Sequence, residues 1–470
     1  MESLVVLSDV HLGSDLGLPD APPPPRSPAI DADLCRLLDH YRATKPAGER
    51  WRLVIAGDFI DFVGMTLPPE AAGSDAPLDE EERLHGLGST PEHALAKLRA
   101  VVARHADVFA ALGRFLGAGH AITLVRGNHD LELHWDEVRA ELVRVLVDEA
   151  RRAHAALGDM TTFDAATTAA RVEETPWFYE VEGVAYIEHG HQYDPFCAVE
   201  HVLAPCRPRD PRRTARGFID VLLRFVVRPT PGVPEHGHET MGVLDYFRIA
   251  ARLGPGGMAR LVVRFVRAVR ELFRVRADAT SEAAARLAAE HEQLLARYAA
   301  ARRIGRDKLR ALRNLQVAPI TRTVRGILAS LLLDQLALGA LALVLCATLG
   351  VLALTADAHF GWGLGAALVG WPATSAWLRR GRRIDSDVEL RLRAEALSAL
   401  FAAPIVVMGH THIARRQRVG RDATYVNVGS WSECEGHRAT RTHLVIERAL
   451  GGLRAELRAW CPERGPLPAT

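Results

Sequence analysis

The stretch RLVIAGDFID, residues 52 to 61, reads as an apolar strand that runs directly into a glycine and two carboxylates. Four or five consecutive Val, Ile, Leu or Ala residues bounded by such a cluster suit a strand buried on both faces. The same grammar recurs in LVVLSDVHLG (4 to 13), AITLVRGNHD (121 to 130), VAYIEHGHQYD (184 to 194), PIVVMGHTH (404 to 412) and ATYVNVGSW (423 to 431). Between the first three runs, helical spacing at Ala32 to Tyr41 and at Pro91 to Leu116 predicts intervening helices, the second opened by Ser89-Thr90-Pro91-Glu92. That alternation indicates an α/β core. Ligands of open α/β sheets gather beyond the C-terminal ends of the strands, and each polar cluster falls at such an end. Segments far apart in the chain are therefore expected to converge on one site.

At 470 residues the chain exceeds one ordinary core. Lys plus Arg number 58 against 57 for Asp plus Glu, a balance that offers no general attraction to nucleic acid. The arginine-rich segments lack the interleaved aromatics of a single-strand groove, so no nucleic-acid partner is expected. Cys35, Cys197, Cys206, Cys346, Cys434 and Cys461 are scattered without a C-x-x-C pair, which argues for reduced thiols rather than a disulfide framework or zinc ribbon. The start MESLVVLSDV has an acid where a secretion signal needs positive charge. The proline-rich PDAPPPPRSP, residues 19 to 28, is expected to be an extended surface loop.

From residue 196 to about 400 strand signals vanish, arginine and alanine dominate, and helical periodicity takes over; the strand pattern resumes at Pro404. This predicts a helical insertion within one core. The expected divisions are a first core part (1–195), an arginine-rich helical insertion (196–320), a transmembrane helical hairpin (321–385), a second core part (386–455) and a tail (456–470). In MARLVVRFVRAVRELFRVR, Arg260, Arg264, Arg267, Arg270 and Arg274 fall on one helix face, opposite Leu, Val and Phe. That pattern suits a membrane interface, and equally a solvated face over a packed core. Gln335 to Leu354 is an uncharged run of spanning length, and His359 to Leu378 is a weaker one with Trp362, Trp371 and Trp377 at interfacial positions. Arg322 and Arg325 precede this pair and Arg379, Arg380, Arg382 and Arg383 follow it, whereas the connection holds only Asp357. By the positive-inside rule both flanks, and with them the catalytic part, are expected on the cytoplasmic side of the inner membrane. A buried hairpin in a soluble protein is the competing reading.

Asp9 and His11, two apart at a strand end, could offer an oxygen and a nitrogen ligand to a metal. Asp58 adds a carboxylate able to bridge two cations, and Asn128 an amide oxygen. His129 and Asp130 adjoin it, and His189, His191, His410 and His412 complete the set. Singly, each is more simply a satisfied polar group. In order, D-x-H, G-D-x-x-D, G-N-H-D, H-G-H and G-H-T-H resemble the motifs of the calcineurin-like metallophosphoesterases.

The resemblance covers roughly residues 1 to 195 and 400 to 450. It implies an α/β fold of the α+β type, a sandwich of two β-sheets flanked by helices with a two-metal site at the strand ends. It implies that Asp9, His11 and His412 hold one divalent ion and Asn128, His189 and His410 the other, with Asp58 bridging. Mixed imidazole, carboxylate and amide ligands suit Mn²⁺, Fe²⁺ or Zn²⁺, and Mn²⁺ is the default expectation. Two such ions can polarise phosphoryl oxygens and yield a bridging hydroxide that attacks phosphorus in line. His129 matches the family's catalytic histidine, and Asp130 is expected to orient it. Asp61 and Asn427 are expected to support loops, and His191 has no assigned role.

Within the family, SDVHLG, GDFIDF, HGHQYD, GHTH and YVNVGSW are most similar to the branch of UDP-2,3-diacylglucosamine pyrophosphatases. The expectation is thus a membrane-associated phosphoesterase or pyrophosphatase acting on a UDP-linked or phosphorylated lipid. Its alternatives are a membrane-tethered phosphatase or phosphodiesterase for a soluble nucleotide or phosphoprotein, and a non-catalytic scaffold on the same fold.

Overall fold

The computed structural model describes residues 2–18, 26–44, 46, 49–72, 78–156, 162–230, 248–249, 251–331, 333–355, 359–379, 385–433, 439–449 and 452–469. Most of the proline-rich stretch (19–25), Cys434, Asp357 and the cations Arg380, Arg382 and Arg383 lie outside the described residues.

The chain is mixed α/β with two multi-stranded sheets and many helices. Strands β1 (Ser3–Leu7), β2 (Trp51–Ala56), β3 (Ala121–Val125) and β4 (Val172–Thr175) run parallel in one sheet. Strands β5 (Phe178–Val181) and β6 (Ala185–Glu188) form an antiparallel pair in a second. A short hairpin, β7 (Cys206–Arg207) and β8 (Asp210–Thr214), stands apart from both. Strands β9 (Ile405–Met408), β10 (Arg415–Val419) and β11 (Ala423–Asn427) complete the second sheet, in the order β10-β11-β9-β6-β5. The strands β12 (Thr442–Ala449), β13 (Gly452–Cys461) and β14 (Gly465–Pro468) complete the first, in the order β14-β13-β12-β1-β2-β3-β4.

The unbroken apolar runs follow from burial on both faces. In β1 and β2, Leu4, Val6, Val54 and Ala56 enter an apolar cluster shared with Ala185, Ile187, Ile405 and Val407 of the second sheet. Their neighbours Val5, Leu7, Leu53 and Ile55 face the helices instead. In β9, Val406 and Met408 turn to a third cluster. Each buried Val or Leu contributes roughly 1.5–3 kcal/mol. A one-residue slip would swap the two faces of every strand, so the register is strongly specified.

Helices α1 (Pro28–Ala43), α2 (Glu80–His85), α3 (Pro91–Arg104), α4 (Ala106–Gly117) and α5 (Asp136–Ala156) lie on the first-sheet side, and all but α2 contribute to its outer apolar cluster. Thr90 caps α3 by accepting from the His93 N–H, with Pro91 at the first turn, as the local sequence predicts. The single helix expected from Pro91 to Leu116 is two helices, broken at His105. The break lets the His105 ring sit 2.7 Å from an Asp31 oxygen and 3.3 Å from an Asp15 oxygen.

The insertion is more than an appendage. After α6 (Ala165–Ala169) and α7 (Phe218–Leu222), α8 (Gly254–Ala279) packs Leu261, Ala268 and Leu272 against Phe218, Val221, Ile327 and Leu331. Helices α9 (Glu282–Arg302) and α10 (Arg306–Leu315) cover the outer face of the second sheet through Ala299, Leu309 and Leu312. The arginine face of α8 is not purely cationic, because Val262, Val263 and Val266 are exposed beside Arg260 and Arg267.

Helix α11 (Val324–Ser330) belongs to the packed insertion, since Ile327 is fully buried there. The apolar hairpin therefore occupies less than the expected 321–385: it is α12 (Leu333–Thr355) against α13 (Phe360–Arg379). Helix α12 is long and apolar enough to cross a membrane, with a mean hydropathy of 2.5 over its most apolar window, none of which is buried. It is the one described helix that meets that measure; α13, interrupted by Pro372, does not. Helix α14 (Ser386–Phe401) returns the chain to β9, packing Leu390, Ala394, Leu397 and Phe401 on the second sheet.

Candidate metal centre

The ends of β1, β2, β3, β6 and β9 bring the predicted polar clusters together. Among non-glycine residues, Asp9, His11, Asp58, His410 and His412 all have φ between 50° and 69°. Left-handed backbone is unfavourable for such side chains, and its concentration on these strand-end residues marks a functional constraint. Two motif glycines show why the turns are so tight. A Cβ on Gly127 would lie 2.1 Å from Asp58 Oδ1, and one on Gly409 would lie 2.0 Å from Ser8 Oγ and 2.4 Å from Asp9 Oδ2.

Both buried carboxylates are held by one oxygen and present the other. Asp9 Oδ2 accepts from the His410 N–H at 3.0 Å, while Oδ1 lies 3.1 Å from His412 Nε2 and 3.8 Å from His11 Nε2. Asp58 Oδ1 accepts from the His129 N–H at 2.9 Å, while Oδ2 lies 3.1 Å from His189 Nε2 and 3.6 Å from His11 Nε2. His189 Nδ1 is fixed by the Ala56 carbonyl at 2.9 Å, and its Nε2 lies 3.1 Å from Asn128 Oδ1.

The ligand atoms of Asp9, His11 and His412 lie within 4.8 Å of one another, as do those of Asp9, Asp58 and His189 and those of His11, Asp58 and His129. Donors bound at 2.0–2.2 Å around one cation sit about 3–3.5 Å apart, so these groups could hold a metal ion. The imidazole and carboxylate donors present suit a divalent metal ion.

His410 is placed differently from the rest. Its ring lies 5.2 Å from that of His189, but its Nε2 is 3.1 Å from Asp194 Oδ2, and Cys197 joins this group. With Nε2 held by Asp194, Nδ1 is the nitrogen left to ligate. Sequence reading passed over Asp194, although it ends the string VAYIEHGHQYD. His191 is buried beside His189, with ring centroids 5.4 Å apart, and belongs to none of the described ligand groups.

One expected role is corrected. Asp130 does not orient His129: its carboxylate accepts from the backbone N–H groups of Phe59 and Gly127 and ties two loops together. Asp61 does the orienting, with Oδ1 2.6 Å from His129 Nδ1. An adjacent residue on a tight turn points its side chain elsewhere, whereas Asp61 lies on the facing loop. Asn427 supports the GHTH loop, donating to the Gly409 carbonyl and Thr411 Oγ1 and accepting from the Gly429 N–H. Arg228, from the insertion and without any motif to mark it, donates to the Ser14 carbonyl at 2.9 Å and places Nη2 3.6 Å from Asp61 Oδ2.

The electrostatics follow this arrangement. Burial works to raise the Asp58 carboxyl, but His189 and His129 hold it well below the usual range. Burial likewise opposes ionisation of Asp9, yet His412 and His11 keep it low. Burial would lower His129, but Asp61 and Asp58 carry it up to about 10. Burial, reinforced by His129 at His11 and by His189 and His410 at His191, pushes both below ordinary histidine values. Two buried carboxylates are thus kept ionised among clustered imidazoles, the kind of perturbation that gathers at functional sites.

No protein-family model matches the chain, and no curated protein matches it.

Proposed function

We propose that the chain is a membrane-associated, two-metal phosphoesterase that hydrolyses a phosphoester or pyrophosphate bond. The observation that carries this reading is Asp58: its Oδ2 lies between His11 and His189, which belong to two separate ligand groups. One cation would be held by Asp9, His11 and His412, the other by Asn128, His189 and His410, with Asp58 serving both. Bound divalent ions, Mn²⁺ foremost and Fe²⁺ or Zn²⁺ as alternatives, would supply Lewis acidity toward phosphoryl oxygens and lower the pKa of water.

The protein's own groups complete the chemistry. His129 is held through Nδ1 by Asp61, which leaves Nε2 to stabilise charge on, or donate a proton to, the leaving oxygen as water adds to phosphorus and the P–O bond breaks. Arg228 steadies Asp61 from the insertion side. The exposed apolar α12 and the valine and arginine surface of α8 support placement at the cytoplasmic face of a membrane. Anionic headgroups would favour that surface. A phosphorylated or nucleotide-linked lipid is thus the substrate class favoured over a soluble one.

The test is metal-dependent product release from membranes holding the intact protein, with bis-p-nitrophenyl phosphate and a UDP-linked glycolipid as substrates. Wild type should turn over with Mn²⁺ and Asp58→Ala should not, while preference for the glycolipid supports the lipid reading. Absence of wild-type turnover of both substrates with Mn²⁺, Fe²⁺, Zn²⁺ and Mg²⁺ would overturn the hydrolase in favour of a scaffold.

A further inference from the structure

Helix α8 adjoins the foot of the apolar hairpin. Its buried Leu261, Ala268 and Leu272 share one apolar cluster with Ile327 of α11 and with Leu333, the first residue of α12. With α12 crossing a membrane, as proposed above, its first turn lies at the bilayer surface and α8 lies there with it. The outer side of α8 suits that surface. Val262, Val263 and Val266 are between 50% and 60% exposed, and Arg260, Arg267 and Arg270 are exposed beside them. At about 100° per residue these six fall on one arc of the helix. Both acids of α8 are engaged elsewhere: buried Glu271 lies 3.1 Å from Arg216, and Asp278 lies 3.1 Å from Arg209. Valines flanked by unopposed arginines match an anionic lipid surface.

The same cluster reaches the catalytic side. It includes Phe218 and Val221 of α7, and Phe225 and Val226 of the π-helical turn that follows (Leu223–Val227). Beyond that turn, Arg264 of α8 donates from Nη1 to Thr230 Oγ1 at 3.1 Å, and the Thr230 N–H donates to the Val227 carbonyl at 3.0 Å. Arg228, two residues before Thr230, donates to the Ser14 carbonyl and faces Asp61, which holds His129. The Arg228 N–H bonds to the Leu223 carbonyl five residues back. Such wide turns occur singly and gather at functional sites, and here the α-helical register is one residue away. The space around Arg228 is narrow, since a Cβ on Gly64 would lie 2.4 Å from its Nη2 and 2.2 Å from Asp61 Oδ2. How the segment is held at Thr230 therefore bears on where Arg228 meets Asp61.

We infer that α8 is a bilayer-sensing helix: docking of its valine and arginine face on an anionic lipid surface holds residues 223–230, through Arg264 and the apolar cluster, so that Arg228 is set on Asp61. Turnover is thereby faster on an anionic membrane, even for a water-soluble substrate. This coupling rests on the membrane-associated phosphoesterase reading above and adds regulation to location.

The test uses the full chain in nanodiscs of neutral phosphatidylcholine or of phosphatidylcholine with phosphatidylglycerol. With saturating Mn²⁺ and bis-p-nitrophenyl phosphate, kcat should be about fivefold or more higher in the anionic discs; kcat is read because an anionic surface repels this substrate and raises KM. Thr230→Val leaves the lipid-facing arc intact and removes the acceptor for Arg264, so it should keep the neutral-disc rate and lose the rise, and Thr230→Ser should restore it. The triple change Val262→Ser, Val263→Ser and Val266→Ser should lose the rise as well. Hydrogen exchange with EDTA present supplies a readout without metal or turnover: residues 223–230 and 58–64 should exchange more slowly in anionic discs for wild type, and equally in both discs for Thr230→Val. Equal exchange in the two lipids, equal kcat in the two lipids, or a rise retained in Thr230→Val would each overturn the coupling. Lipid-dependent exchange without turnover in any disc would instead remove the phosphoesterase reading and leave the sensing helix standing.

Discussion

At the scale of single residues, the division of labour between Asp61 and Asp130 is the most direct test of the site. Asp61→Asn keeps a hydrogen-bonding group beside His129 but removes the charge, so kcat should fall roughly 10²-fold. Because Asp61 raises the His129 imidazole, the same change should move the alkaline fall of the kcat profile to lower pH. Asp130→Asn should instead lower thermal stability through the Phe59 and Gly127 loop contacts and leave that alkaline limb where it is. Kinetic pH profiles of the two variants decide between them; an alkaline limb that shifts in Asp130→Asn but not in Asp61→Asn would reverse the assignment. That Asp9, His11, Asp58, His189 and His412 would converge at the strand ends was legible from the ordered motifs. The identity of the orienting carboxylate was not, because the side chains of sequence neighbours diverge where the chain turns while loops from different strands meet.

At the scale of elements, α1 and β12 make a second titrating contact away from the site. Tyr41 Oη lies 2.7 Å from His443 Nε2, and burial pushes the fully buried His443 down to about 3. A histidine depressed in the folded state binds fewer protons there than when unfolded. Its contribution is therefore complete above the unfolded value near 6.5 and is lost as pH falls toward 3, at about 1.4 kcal/mol per pH unit. Denaturant unfolding at pH 7 and pH 5 should show a smaller loss in His443→Gln than in wild type, and an equal loss would refute the assignment. The hairpin makes a separate prediction. Replacing residues 333–379 by a short flexible linker should move the chain from the carbonate-resistant membrane fraction into the soluble one, because α11 and α14 pack on the body without it. Retention in the membrane fraction would leave the α8 surface, with its exposed Val262, Val263 and Val266, as the principal anchor.

Across the whole molecule, the insertion and core are joined by buried charges rather than by apolar surface alone. Glu81 receives Arg216 and Arg224, whose side chains are 9% and 7% exposed. Glu81→Gln would leave the buried Arg224 without its carboxylate and Arg216 with Glu271 alone, at a cost of about 3 kcal/mol. The loss should appear in denaturant unfolding and, through Arg228 and Asp61, as reduced turnover even though Glu81 touches no ligand residue named here. A variant as stable and active as wild type would show the insertion to be independent of the core. The helical character of much of residues 196 to about 400 was visible in the sequence, but the β7–β8 hairpin at Cys206–Thr214 was not, because its short, charged strands carry no apolar run. That α9 and α10 would roof the second sheet was not, because helical periodicity tells which face is apolar and never which surface it meets.

The sequence by itself determined the strand runs, the glycine-bearing strand ends and which polar side chains stand at those ends, since these depend on neighbours within a few residues. It also located the long apolar run that forms α12. Only the tertiary structure decided that Asp61 rather than Asp130 holds His129, that Asp194 holds His410, and that the insertion supplies Arg228 to the site. Each of these is a meeting of segments distant along the chain, set by how two sheets and their covering helices pack, and local spacing carries no information about that distance.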